Sequence, residues 1–188
     1  SSLYRMDDVP AAGGAASTPA RHPDVQAVPE TQPGKTFADV SGADRTAVEA
    51  LAARGILSGM DDGLFHPGEH MSRAQFAAAV VRALGLQPKA AGTFTDVTAD
   101  KWYAAYVGAA SACGVITGVG NGKFNPSGTI TRQEAAVMVA RAARLCGLDT
   151  ELDERAVRNV LAQFGDYMQT PDWARQGLAF CCRAGILD

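Results

Sequence analysis

Two elements place an arginine directly after a hydroxyl side chain able to start a helix. They are Ser72-Arg73 and Thr131-Arg132, 59 residues apart. Each opens an S/T-x-x-E/Q pattern, Ser72 with Gln75 and Thr131 with Glu134. In that pattern the hydroxyl and the Gln or Glu side chain reciprocally satisfy backbone N–H groups of the first turn. The arginine then falls at the first helical position. A cation there opposes the positive end of the helix dipole, at a cost of about 0.3–1 kcal/mol. Exposed N–H groups, a positive helix end and a guanidinium fork together favour an anion. Each Ser/Thr-Arg pair is therefore a candidate point for binding a carboxylate or phosphate. The alternative is an arginine that pairs with an acidic residue of a neighbouring segment and locks the fold.

Other residues offer weaker chemistry. Trp102 and Tyr106 are four apart; at helical spacing they read first as core, with a sugar-stacking platform as the alternative. His66 and His70 are also four apart, but Pro67-Gly68 between them imply a turn, so they read as turn histidines and not as a metal pair. Asp61-Asp62-Gly63 lacks the alternating acidic spacing and closing glutamate of a calcium loop. The glycines 118, 120 and 122 do not lead into a helix in the register of a nucleotide loop. Cys113, Cys146, Cys181 and Cys182 include no C-x-x-C pair. They read as small reduced thiols, buried for the most part, with a disulfide from Cys146 to one of the later pair left open. A Cys113–His nucleophile pair is discounted because all three histidines lie far upstream. No metal, cofactor or catalytic residue is expected.

The elements that must position these residues recur along the chain. Phe37-Ala38-Asp39-Val40 answers to Phe94-Thr95-Asp96-Val97, 57 residues on. Gly55-Ile56-Leu57-Ser58-Gly59 answers to Gly114-Val115-Ile116-Thr117-Gly118, and Gly63-Leu64-Phe65-His66-Pro67 to Gly122-Lys123-Phe124-Asn125-Pro126. These later landmarks are 59 apart, so two extra residues fall in the first loop or first helix of the second copy. A third copy runs from Phe164-Gly165-Asp166 to Gly185-Ile186-Leu187-Asp188 and lacks the turn and second helix. The sequence is expected to be cut within this repeat.

Each copy reads as helix, turn, helix. Asp100 and Thr170 are the expected caps of the first helices in copies two and three, with Pro171 at the first helical position. Gly55, Gly114 and Gly185 suit left-handed C-terminal caps. Asp-Gly and Asn-Gly pairs mark the turns, and short extended pieces around Phe65 and Phe124 are expected to form at most a minor sheet. Phe76, Val80 and Leu84, and likewise Met138, Ala142 and Leu145, form apolar stripes on the second helices. About fifty residues cannot enclose a sizeable core, so the copies must bury their stripes against one another. The expected fold is all-α, with tandem helix-turn-helix repeats forming a pseudo-threefold helical bundle and the third repeat incomplete. The expected divisions are a flexible Pro/Ala/Gly-rich linker at 1–36, repeats at 37–93 and 94–163 (the latter with a connecting helix), and a partial repeat at 164–188. Leu3, Tyr4 and Met6 of the linker are candidates for docking on the repeats.

Bulk properties narrow the partners. Hydrophobic residues are 47% and charged residues 20%, enough to pack a core. A net charge of −3 supplies no basic excess for phosphate backbones, so nucleic acid is a poor partner. No apolar run is long enough to span a bilayer.

The order F-x-D-V, tryptophan-bearing helix, G-[IV]-[IL]-x-G, G-x-F-x-P and [ST]-R-x-[EQ] closely resembles the S-layer homology repeat, over roughly residues 37–188. The resemblance implies a three-repeat helical domain at the bacterial cell surface. It implies a non-enzymatic role: anchoring a surface protein to the wall by binding anionic, pyruvylated secondary wall polysaccharide, or a peptidoglycan-linked polymer, in grooves between repeats. The implied glycan-binding residues are Ser72, Arg73, Thr131 and Arg132, with Trp102 and Trp173 lining or supporting the grooves. The first copy carries Ala43 or Arg45 where the tryptophan falls. The alternatives are a structural module that pairs with other protein chains or with itself through the incomplete repeat, and the non-catalytic part of a wall-processing enzyme.

Overall fold

The computed structural model describes residues 19–90, 92, 94–163 and 168–187, and these contain six α-helices and no strand. They are α1 (Ala43–Ala53), α2 (Arg73–Ala83), α3 (Ala104–Ala112), α4 (Arg132–Leu145), α5 (Glu154–Gln163) and α6 (Asp172–Arg183). The first copy supplies α1 and α2 and the second α3 and α4. The stretch expected to hold a connecting helix carries α5, and the partial third copy expected at 164–188 carries α6. The opening landmark of the third copy at 164–166 lies outside the described residues.

Local chemistry sets the helix ends. Both predicted capping boxes form: Ser72 Oγ accepts from Gln75 N–H at 3.1 Å, and Thr131 Oγ1 from Glu134 N–H at 3.1 Å. Gly55, Gly114 and Gly185 adopt φ of 70°, 76° and 74°, and the residue after each donates its N–H back to the carbonyl five residues earlier. This closes the helix in the manner of a Schellman motif and turns the following apolar side chain inward. The other two predicted caps do not form. Asp100 bonds the Thr98 hydroxyl in the preceding turn, and α3 starts later, with Tyr103 as its cap residue. Pro171 is the cap residue of α6, and Thr170 is buried before it. The two residues by which the second copy is longer therefore fall in the loop before α3, which carries Trp102.

Packing is interleaved. The second helix of each copy lies against the first helix of the next, α2 on α3 and α4 on α6, while α2 also meets α4 and α5 meets α6. One core joins α2, α3 and α4 around Val81, Val107, Val115 and Phe124. A second joins α4, α5 and α6 around Leu161, Leu178 and Cys181. Val80, Leu84 and Met138 of the predicted stripes are buried, and Phe76, Ala142 and Leu145 pack partly buried beside them.

The segment read as a flexible linker behaves differently over 19–36. His22 N–H donates to Leu145 O at 2.7 Å, Gln26 N–H to Leu84 O at 3.0 Å, and Thr31 and Gln32 N–H both to Ala53 O at 2.9 Å. Val25 is buried. This strap meets the C-terminal ends of α4, α2 and α1 in turn. Carbonyls at helix ends have no intrahelical partner, which gives a proline-rich, extended segment ready acceptors. Residues 1–18, with Leu3, Tyr4 and Met6, lie outside the described residues.

Candidate functional site

The first site residues to place are the aspartates of F-x-D-V, whose role the sequence reading missed. Asp39 accepts from Phe65 N–H at 2.9 Å and His66 N–H at 2.7 Å. Asp96 accepts from Phe124 N–H at 2.9 Å and Asn125 N–H at 2.8 Å. The bonds to Phe65 and His66 hold the Asp39 carboxyl below the usual carboxylate range. For Asp96, burial works to raise it, but its backbone bonds outweigh that and leave it lowered too. His66 and Asn125 both adopt φ of 58°, a left-handed turn that aims successive N–H groups at one carboxylate. The motif phenylalanines close the same unit, with Phe37–Phe65 and Phe94–Phe124 ring centroids 5.4 and 5.6 Å apart. The extended pieces therefore bond to aspartates and not to each other. The isolated bridges are Ser72 with Thr129, joining two copies, and Gly120 with Lys123.

Arg73 leaves α2 and enters the second copy. Its Nε donates to Phe124 O at 2.9 Å, its guanidinium lies 4.8 Å from the Phe124 ring centre, and it is ion-paired with Glu134. Arg73 is only 5% exposed. Burial pulls its pKa down and nearby Asp96 opposes that. The geometry thus gives Arg73 the locking arrangement, while its pair with Glu134 still faces a groove. Arg132, one repeat on, is exposed at the start of α4. The Ser72 and Thr131 hydroxyls are engaged in their caps.

Two grooves lie at equivalent places in the repeat. The first, of about 440 Å³, is lined by Gly59, Gln75, Arg82, His66, His70 and Trp102. The second, of about 400 Å³, is lined by Gly118, Glu134, Arg141, Arg73 and Trp173. Gly59, Gln75 and Arg82 correspond to Gly118, Glu134 and Arg141 at the 59-residue spacing. In each groove the tryptophan comes from the following copy. Trp102 and Trp173 are 56% and 59% exposed, so neither is a core residue. The Arg82 guanidinium lies 4.7 Å from the Tyr106 ring centre and 6.0 Å from that of Trp102. Arg141 donates to Val115 O at 3.2 Å, and burial lowers its pKa. Arg82 and Arg141 were missed by sequence reasoning, although each stands nine residues after its Ser/Thr-Arg arginine. Of the predicted site residues, Trp102 lines the first groove, and Arg73 and Trp173 the second. Ser72, Thr131 and Arg132 line neither.

The cysteines are all unbridged. Cys181 and Cys182 are buried as expected, Cys113 is half-buried, and Cys146 departs from the expectation by being exposed. Burial pushes the Cys181 thiol up to about 11. Cys113 is brought close to His22, a proximity discounted from their separation in sequence. His66 Nε2 lies 2.6 Å from Asp62 Oδ2, an arrangement of turn residues.

Interleaved helix pairs, an aspartate-held turn and arginine–tryptophan grooves define a tandem helical-repeat module. The S-layer homology domain model matches residues 36–77 and 93–136. The two complete repeats belong to the S-layer homology domain family. The chain is 31% identical to an S-layer protein of Bacillus anthracis over 84% of its own length and 19% of that protein. It is 30% identical to a surface-layer 125 kDa protein of Lysinibacillus sphaericus over 80% of its length and 12% of that protein. It is 32% identical to an amylopullulanase of Thermoanaerobacterium thermosulfurigenes over 82% of its length and 8% of that protein. The chain thus spans less than a fifth of each of these relatives. The family and its surface-layer relatives place it at the cell surface. Among the described residues, no helix is long and apolar enough to cross a membrane.

Proposed function

We propose that this chain holds a protein on the bacterial cell wall, without catalysis of its own, by binding an anionic, pyruvylated wall polysaccharide in its two grooves. The observation that carries the reading is the recurrence of one arginine and one exposed tryptophan, Arg82 with Trp102 and Arg141 with Trp173, in equivalent grooves. An indole face covers the apolar face of a sugar ring, and a guanidinium fork takes a carboxylate bidentately. Arg73 with Glu134 forms the polar end of the second groove, where Arg73 orients the site more than it offers a vacant cation. The relatives fit a reusable anchor: two are named as surface-layer proteins and one as an amylopullulanase, each sharing only this small part with the chain.

Co-sedimentation with purified Gram-positive walls tests this, using intact walls, walls stripped of secondary polymer, and walls freed of pyruvyl groups by mild acid. The chain binds intact walls and loses binding to both treated forms. The double variant Arg82→Ala, Arg141→Ala binds at least about tenfold more weakly, some 1.4 kcal/mol, with its far-UV spectrum retained. Trp102→Ala with Trp173→Ala does the same. Unchanged binding by both folded double variants overturns the grooves as the site. Unchanged binding to walls lacking pyruvyl groups overturns the proposed ligand.

A further inference from the structure

The strap brings a histidine and an aspartate to a cysteine that the grooves do not use. A ring nitrogen of His22, a carboxylate oxygen of Asp24 and Sγ of Cys113 all lie within 4.8 Å of one another. We propose that His22, Asp24 and Cys113 bind a divalent metal ion of zinc's class, which clips the strap to the end of α3. The backbone carrying the first two ligands is pinned on both sides, by His22 N–H on Leu145 O and Gln26 N–H on Leu84 O. His22 Nδ1 accepts from Asp24 N–H at 3.1 Å, a contact that orients the ring beside the carboxylate. Cys113 is the C-cap residue of α3, and the strap's tie points on either side of His22 and Asp24 are the C-terminal ends of α4 and α2. The negative end of the α3 dipole lies at Cys113 and those of α4 and α2 abut the strap, an arrangement that favours a cation.

The donor set points to the class of ion. Thiolate and imidazole with one carboxylate suit zinc or cobalt, whereas calcium and magnesium take oxygen ligands. Three protein ligands leave a fourth position for water. Burial pushes the Cys113 thiol above its ordinary range; nearby Lys89 opposes this, and the Asp24 charge adds a smaller push upward. Metal binding forms the S–metal bond and releases the thiol proton to solvent, and the cation offsets the repulsion between Asp24 and the thiolate. Asp24 and Cys113 open onto a cavity of about 460 Å³ that Gln26 and Lys89 also line, so an ion reaches them from solvent.

Titration of the reduced 188-residue chain with Co²⁺ tests the site. One equivalent produces a thiolate-to-cobalt charge-transfer band in the near ultraviolet, which Zn²⁺ abolishes. Cys113→Ser removes the band, His22→Ala and the exposed-residue variant Asp24→Ala weaken binding at least tenfold, and Cys146→Ser leaves it intact. Zn²⁺ also slows tryptic cleavage after Arg21 in the unaltered chain but not in Cys113→Ser. A folded chain that gives no band overturns the site, as does a band lost in Cys146→Ser and kept in Cys113→Ser. Should Cys113→Ser lose its far-UV spectrum, Asp24→Ala decides: undiminished Co²⁺ affinity there overturns the site, and weakened affinity supports it.

Discussion

At the scale of single residues, Arg73 is a buried charge with its partners assembled from the next repeat. A buried guanidinium is tolerated only when its hydrogen-bonding capacity and charge are met. Phe124 O, Glu134 and the Phe124 ring meet them. Arg73→Ala should therefore cost about 2–4 kcal/mol in urea unfolding. Arg73→Lys should recover only part of this, because an ammonium lacks the planar fork. Exposed Arg132→Ala should stay within about 1 kcal/mol of the parent. An Arg73→Ala loss as small as that of Arg132→Ala would show the pair to be idle. The turn aspartates make a second prediction. Asp39 and Asp96 both have folded pKa values below the ordinary 3.8. Their contribution is fully present above that value and is lost as pH falls through the lower folded values. From these carboxylates the urea midpoint should drop below pH 4. In Asp39→Asn with Asp96→Asn the acid-side drop should be shallower and the midpoint at pH 6 lower.

At the scale of elements, the helices are short, nine to fourteen residues, and marginal alone. Capping boxes open α2 and α4, glycine turns close several C-terminal ends, and the faces pack on the neighbouring copy. The most extensively packed pair is α4 with α6. A Cβ built at Gly177 would sit 3.0 Å from Val137 Cα, and backbone cannot swing aside as a side-chain tip can. Gly177→Ala should force α4 and α6 apart and cost about 1–3 kcal/mol. Gly68→Ala, in open space, is the matched control. Equal denaturation midpoints for the two variants would mean that this contact has slack. Gly59 and Gly118 follow the same logic at the grooves: a Cβ there would meet the motif rings of Phe37 and Phe94 at 2.5 and 2.6 Å.

At the scale of the molecule, the grooves exist only between copies. Each takes its arginine from one repeat and its tryptophan from the next, so a single repeat carries half a site. The strap adds a second connection across repeats, because it bonds the ends of α1, α2 and α4. Removing residues 1–36 takes away four such bonds and uncovers the Val25 site. At about 0.5–1.5 kcal/mol per bond, less the entropy of ordering the strap, the loss should be about 2–4 kcal/mol by urea unfolding. A truncated chain as stable as the parent would show that the strap lies on the surface without holding it.

Local rules account for what was legible in the sequence. Capping boxes at Ser72 and Thr131, left-handed glycines at 55, 114 and 185, and the stripes of α2 and α4 depend on residues within a turn or two of each other. The all-α repeat architecture follows from them. The destinations of long side chains do not. Arg73 reaches across 51 residues to Phe124. Asp39 and Asp96 reach 26 to 29 residues forward to their turns. Trp102 moved from an expected helix face to an exposed loop because Asp100 bonded Thr98 instead of capping. The strap looked like a linker because its composition lacks a core of its own; the helix ends that give it partners are supplied by other elements. The sequence alone determined which segments coil and how often the unit recurs, since short-range sterics and hydrogen bonds decide those. Only the tertiary structure decided that Arg73 locks the repeats while Arg82, Arg141 and two tryptophans line the grooves. Burial and charge pairing are properties of neighbours brought together across the fold, and no local spacing encodes them.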